Sequence, residues 1–192
     1  AIKGIVNTSF GQLVFVDTPG YHMSEKKLNL NLQQTARDQL EASECVLYVI
    51  DASRDLGEEE EATAELIAPY ASKTVVAVNK TDLPAAKPDR VINFVQSKIP
   101  SIDKNRIFEI SAKNDTGIND VLKALYDLAP EAPHLYPEEY YTDQEVGFRI
   151  AEVIRGQAIN RLSDEIPHAL FVDISDMEFK KEGKLLWVRA FL

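Results

Sequence analysis

Cysteine is nearly absent from this 192-residue chain, and Cys45 is the only one. No internal disulfide can form, so a reducing, cytosolic setting is expected. The place of Cys45 in the apolar run "CVLYVI" makes it core filler rather than a nucleophile. No apolar run approaches the roughly 20 residues that span a bilayer, and the opening residues carry no signal-peptide pattern. Positive charge is also short: 21 Lys and Arg stand against 31 Asp and Glu, a net charge of -10. That balance argues against indiscriminate attraction to nucleic-acid phosphates. There are no internal repeats and no low-complexity tracts. What remains is a 45% hydrophobic chain able to bury a real core, long enough for one ordinary domain and part of another.

Strand and helix signals alternate along it. Ile2–Asn7 and Gln12–Asp17 flank "TSFG", a hairpin connection. "VLYVID" (Val46–Asp51), "TVVAVN" (Thr74–Asn79) and "RIFEIS" (Arg106–Ser111) are short β-branched runs of the kind central parallel strands require. Between them the spacing predicts helices over Leu28–Ser43, with Leu32, Ala36, Leu40 and Ala42 facing inward, and over Gly57–Tyr70, with Ala62, Leu66 and Ile67 inward. Two more are expected over Asp89–Ile99 and Ile118–Leu128. The order β-β-α-β-α-β-α-β-α predicts a doubly wound α/β layer. "APEAPHLYPEEYYTD" (Ala129–Asp143) breaks the rhythm with three prolines and reads as a linker. A long helix over Gln144–Leu162 and two strands around a turn at Glu182-Gly183 follow, so a second domain starts near residue 144.

The strand ends carry the chemistry. One run ends in Asp17-Thr18-Pro19-Gly20, another in Asn79-Lys80-Thr81-Asp82, a third in Ser111-Ala112-Lys113. In open α/β sheets, ligands bind outside the carboxyl ends of the strands. Each motif also has a plainer reading. Asp, Pro and Gly are ordinary turn-makers, "NKTD" can be a polar helix-capping turn, and "SAK" alone says little. Taken together and in order, they point to a guanine nucleotide. The two oxygens of Asp82 match the N1–H and N2 amino edge of guanine. Asn79 can bridge base and neighbouring loop, the Lys80 stem can lie against the purine ring, and the Ala112 N–H can donate to the guanine carbonyl. A buried Asp82 would reject adenine by being left unpaired.

With these motifs the chain resembles translation-factor-class GTPases, and most specifically the bacterial Era family. Residues 1–128 are similar to the latter part of its GTPase domain, and "YPEEYYTDQ" (Tyr136–Gln144) to its interdomain linker. "FRIAEVIRGQAINRLSDEIPHALFVDI" (Phe148–Ile174) resembles the entry to its KH-type RNA-binding domain. The resemblance implies a P-loop-NTPase-like doubly wound α/β sheet, incomplete at its N-terminus, over 1–128, a linker over 129–143, and the start of an α+β KH-type domain over 144–192. It implies a GTPase using GTP/GDP and Mg²⁺, monomeric and cytoplasmic, with peripheral association at the inner face of the membrane. Its partners would be small-subunit ribosomal RNA and the small subunit, whose assembly it assists. Asp17 would reach Mg²⁺ through a water, and the Gly20 amide would contact the γ-phosphate, with Thr18, Pro19 and Tyr21 beside it. Asn79, Lys80, Thr81, Asp82, Ser111, Ala112 and Lys113 would hold the base.

Two departures stand out. No G-x-x-x-x-G-K-[ST] occurs, so the phosphate cradle and the threonine-bearing switch are expected before Ala1. The G-x-x-G loop that clamps RNA is expected after Leu192. From His168 onward, four acidic residues balance four basic ones, so the acidity lies upstream. Tyr21, followed by His22, occupies the place of the water-positioning glutamine of many small GTPases. No catalytic residue is assigned, and slow intrinsic hydrolysis is expected. His22 reads as a solvent-facing switch residue. Tyr136, Tyr140 and Tyr141 read as linker aromatics packed between domains, the glutamates Glu58–Glu61 as a solvated helix start, and Trp187 as core. A different class, a non-hydrolysing RNA-binding or scaffold protein with a degenerate nucleotide domain, is the alternative.

Overall fold

The computed structural model describes residues 2–18, 28–159, 170–181 and 184–191, with side chains in the first helix described from residue 34 onward. The first two strands, β1 (Lys3–Thr8) and β2 (Gly11–Val16), form an antiparallel hairpin in which Thr8 faces Gly11. α1 (Leu28–Ala42), β3 (Val46–Asp51), α2 (Glu58–Ile67), β4 (Thr74–Asn79), α3 (Pro88–Lys98), β5 (Ile107–Glu109) and α4 (Ile118–Leu128) follow. Strands β3, β4 and β5 make a parallel sheet in that order.

β4 is central, and its alternation sends side chains to two cores. Val76 and Val78 face one side, where Ala64 and Ile67 of α2 and Val91 and Val95 of α3 cover them together with Tyr48 and Ile50. Val75 and Ala77 face the other, against Val121 and Leu125 of α4. Helices on both faces make the layer doubly wound, as expected. Each fully buried valine contributes about 1.5–3 kcal/mol relative to exposure. No ladder joins β2 to β3 among the described residues, yet Leu13 and Phe15 of β2 pack into the same core as Leu47 and Val75. Tyr126 of α4 reinforces this attachment by donating to the Gly11 carbonyl at 2.9 Å.

Some expectations need correcting. The strand expected over Arg106–Ser111 is confined to Ile107–Glu109, because Ser111 turns away into a bridge with Thr116. The helix expected to Tyr70 ends at Ile67 and tightens into a 3₁₀ segment, Ala68–Lys73, with Pro69 in its first turn. Its buried residues are Ala64 and Ile67, with Ala62 and Leu66 only half-buried. Ala42 is exposed, and Leu32 lies among the side chains outside the description.

Beyond α4 the chain runs without regular structure to α5 (Val146–Ile159), and β6 (Asp173–Lys180) pairs antiparallel with β7 (Leu185–Phe191). The expected turn at Glu182-Gly183 and the helix end at Asn160–Leu162 fall outside the described residues. Trp187 is not core. It is half-buried on the hairpin, with the Lys180 ammonium 4.9 Å and the Arg189 guanidinium 5.1 Å from its ring.

The linker is held along β1 by side chains standing in for a strand. Gln12 Oε1 accepts from the Leu135 and Tyr136 N–H groups at 2.9 and 3.0 Å, while its Nε2 donates to the Tyr136 carbonyl at 2.9 Å. Asn7 Nδ2 donates to the carbonyls of Glu138 and Tyr140, and the Ile5 N–H to that of Tyr141. Tyr136 stacks on Tyr140, and Tyr141 lies 4.3 Å from the Arg149 guanidinium of α5.

Candidate guanine-nucleotide site

At the carboxyl end of β4, Val78 is fully buried and Asn79 begins the turn. Asn79 Oδ1 accepts from two backbone N–H groups, that of Lys80 at 2.7 Å and that of Ala112 at 3.0 Å. One side chain thus ties the loop after β4 to the loop after β5. Thr81 repeats the tie, since its N–H and hydroxyl both donate to the Ile110 carbonyl at 3.2 and 2.9 Å. Ser111, only 2% exposed, donates its hydroxyl to Asp82 Oδ1 at 2.7 Å.

The second loop is equally constrained. Asn114 N–H donates to Ser111 Oγ, and Ser111 and Thr116 exchange both backbone bonds at 3.0 Å. Gly117 closes it with φ +72°, where an added Cβ would stand 2.6 Å from the Glu109 carbonyl oxygen. Only glycine fits that close approach.

Asn79, Lys80, Thr81, Asp82, Ser111 and Ala112 are therefore brought together, with Lys113 exposed at the rim. Two details differ from expectation. Asp82 is exposed rather than buried, with one carboxylate oxygen accepting from the Ser111 hydroxyl; discrimination against adenine would have to arise when a base covers it. The Ala112 N–H is already taken by Asn79, so a guanine carbonyl would share or displace that bond. Asp17 and Thr18 are exposed at the end of β2, where the Asp17 N–H donates to the Ile2 carbonyl at 2.9 Å. Pro19, Gly20, Tyr21 and His22 lie outside the described residues.

Sequence reasoning missed Asp51. It ends β3 directly opposite Asn79 in the parallel register, and its Oδ2 lies 2.6 Å from Lys80 Nζ. Its Oδ1 accepts from the Ser53 N–H and hydroxyl at 2.9 and 2.6 Å. Partial burial pushes the carboxyl upward in pKa, but the bonds from Lys80 and Ser53 and the Lys80 charge outweigh it and hold it at about 2. The signal was present: "VLYVID" ends in Asp just as "QLVFVD" does. A cleft of about 210 Å³ along β3 is lined by Tyr48, Asp51, Arg54 and Glu60 among others, and none of the expected base-binding residues lines it.

Comparison with known proteins gives the family of the chain. Residues 6–131 match the family described as the elongation factor Tu GTP binding domain. The chain belongs to that GTP-binding family. Within it, the chain is similar to GTPase Era of Treponema denticola, at 56% identity over 192 residues, covering 100% of this chain and 65% of that protein. GTPase Era of Treponema pallidum is 39% identical over 209 residues, covering 66% of its length. The chain thus spans about 65% of the length of these relatives. Among solved structures, Era in complex with MgGDPNP and a segment of 16S ribosomal RNA aligns with a TM-score of 0.80 at 26% identity, over 98% of this chain and 64% of that one. Era of Aquifex aeolicus bound to GDP.AlF4- has the same TM-score at 24% identity and speaks to the fold alone.

Proposed function

We propose that this chain carries the base-reading part of a GTPase and the start of a KH-type RNA-binding domain. The complete gene product hydrolyses GTP to GDP and phosphate and binds small-subunit ribosomal RNA, assisting ribosome assembly. The observation that carries this reading is the clasp between the two loops, in which Asn79 Oδ1 joins Lys80 to Ala112 and Ser111 holds one oxygen of Asp82. Asp82 Oδ2 remains available to a ligand's paired N–H donors, which fits guanine.

The base end of a guanine nucleotide therefore fits the residues present: Asn79, Lys80, Thr81, Asp82, Ser111, Ala112 and Lys113. For the phosphate end, Asp17 would hold Mg²⁺ through a water, with Thr18, Pro19, Gly20 and Tyr21 around it. When bound, Mg²⁺ would neutralise charge developing on the transferred phosphoryl group. The domain limits we assign are 1–128, 129–143 and 144–192. The break after α4 at Leu128 and the start of α5 at Val146 support them.

Among the described residues no helix is long and apolar enough to cross a membrane. We assign the protein to the cytoplasm as a monomer, with peripheral association at the inner membrane face. Phosphate release from GTP but not from ATP by the full gene product, together with retention of a small-subunit ribosomal RNA transcript on a filter, tests the reading. Equal turnover of GTP and ATP would overturn it.

A further inference from the structure

Lys80 has three features that a solvent-facing lysine does not need. Its backbone is in the left-handed region, φ 65°, which non-glycine residues rarely adopt. Its N–H is held by Asn79 Oδ1 at 2.7 Å. Its ammonium is held by Asp51 Oδ2 at 2.6 Å, while half of its side-chain surface, 51%, stays open. Asp51 is itself fixed before any ligand arrives: Ser53 occupies its other oxygen, the Ala52 N–H donates to the Asn79 carbonyl at 2.9 Å, and its side chain is only 20% exposed.

An exposed ion pair contributes little to stability as a rule, because ordering a long side chain offsets the Coulomb gain. Here the ordering has a use. The ammonium is anchored at the end of β3, so the methylene stem is drawn from the end of β4 toward the adjacent strand, beside Asn79. A free lysine would lose that rotamer freedom only on binding, which weakens the complex.

We infer that Asp51, braced by Ser53, is a positioning residue for nucleotide binding: it holds the Lys80 stem in place before the purine arrives. The inference rests on the guanine-nucleotide reading above. Asp51 touches no base. It acts through Lys80, and the low pKa given to its carboxyl by these contacts keeps the tether intact at any physiological pH.

The test is a double-mutant cycle in the full gene product, titrating fluorescent GDP into wild type, Asp51→Asn, Lys80→Met and the double variant. Asp51→Asn should weaken GDP roughly three- to tenfold, the range that the side-chain ordering cost implies. In the Lys80→Met background the same change should cost less than about twofold, since the tether is already gone. A residue that merely supported the fold would cost the same in both backgrounds, and that additive result overturns the proposal. So does wild-type affinity in Asp51→Asn. Ser53→Ala, a gentler change that leaves the charge pair, should give a smaller loss that also vanishes with Lys80→Met, and it serves if Asp51→Asn does not fold. Guanine-selective binding with no coupling would overturn the role of Asp51 alone. Absence of guanine-selective binding in the wild type would overturn the underlying reading as well.

Discussion

Asp82 is the residue proposed here to read the base. One oxygen is held by the Ser111 hydroxyl, and under the guanine reading the other would accept from the N–H pair of the base. Asp82→Asn replaces an acceptor by a donor, which matches the C2 carbonyl of xanthine and opposes the guanine amino group. In the full gene product this variant should favour XTP over GTP in a competition assay; unchanged guanine preference would mean that Asp82 does not read the base. In sequence, Tyr21 follows Asp17-Thr18-Pro19-Gly20, and an aromatic ring cannot orient a water as a glutamine amide does. Tyr21→Ala should change single-turnover hydrolysis by less than about tenfold, roughly 1.4 kcal/mol of barrier. Asp17→Ala should instead damage Mg²⁺-dependent binding and turnover together. The reverse pattern would reduce Asp17 to the end of a strand. The Asp51 carboxyl also makes stability depend on pH. Its folded-state pKa is lowered to about 2 from 3.8, so its stabilisation is complete above the unfolded value and is lost as pH falls through the folded one. Urea midpoints of wild type and Asp51→Asn should stay a constant distance apart from about pH 5 upward and converge below about pH 4.

Among the elements, the loop after β5 and the strap along β1 carry the sharpest constraints. Gly117 begins α4 at φ +72°, with the Glu109 carbonyl oxygen 2.6 Å from any added Cβ. Gly117→Ala should destabilise the chain by at least about 2 kcal/mol in urea unfolding, from left-handed strain plus the clash. A loss near zero would mean that the loop relaxes freely. Central elements were legible because burial decides them. Val46–Asp51 and Thr74–Asn79 stand as expected, since β-branched runs between helices admit little else, and so does Ile118–Leu128, whose apolar residues recur at helical spacing. The β5 strand was overextended because the Ser111–Thr116 bridge, set by distant turn chemistry, ends it early. The strap was invisible for a related reason. Gln12 and Asn7 look like ordinary polar strand residues until the linker, more than 120 positions away, supplies their partners. Trp187 was misjudged because hydrophobicity alone predicts a core, whereas two neighbouring cations give its ring faces to the surface.

For the molecule as a whole, the motifs at successive strand ends made the nucleotide class legible, since their spacing already implied loops on one edge of a parallel sheet. Their mutual hydrogen bonds were not legible, and neither was Asp51, because each bond joins groups set by the packing of β3, β4 and β5. Residues 1–192 contain the loops proposed to read the base but no G-x-x-x-x-G-K-[ST] phosphate cradle, and most nucleotide affinity in this class comes from phosphate contacts and Mg²⁺. This 192-residue chain alone should therefore bind GTP weakly or not at all, and submicromolar affinity in a titration would contradict that division of labour. The central claim is that these strand ends form a guanine-specific site. Its most direct test is displacement of labelled GDP from the full wild-type gene product by GTP, ATP and XTP in parallel. The account predicts that GTP displaces it at least about a hundredfold more effectively than ATP or XTP, as buried mispaired donors and acceptors require. Equal displacement by ATP would contradict it.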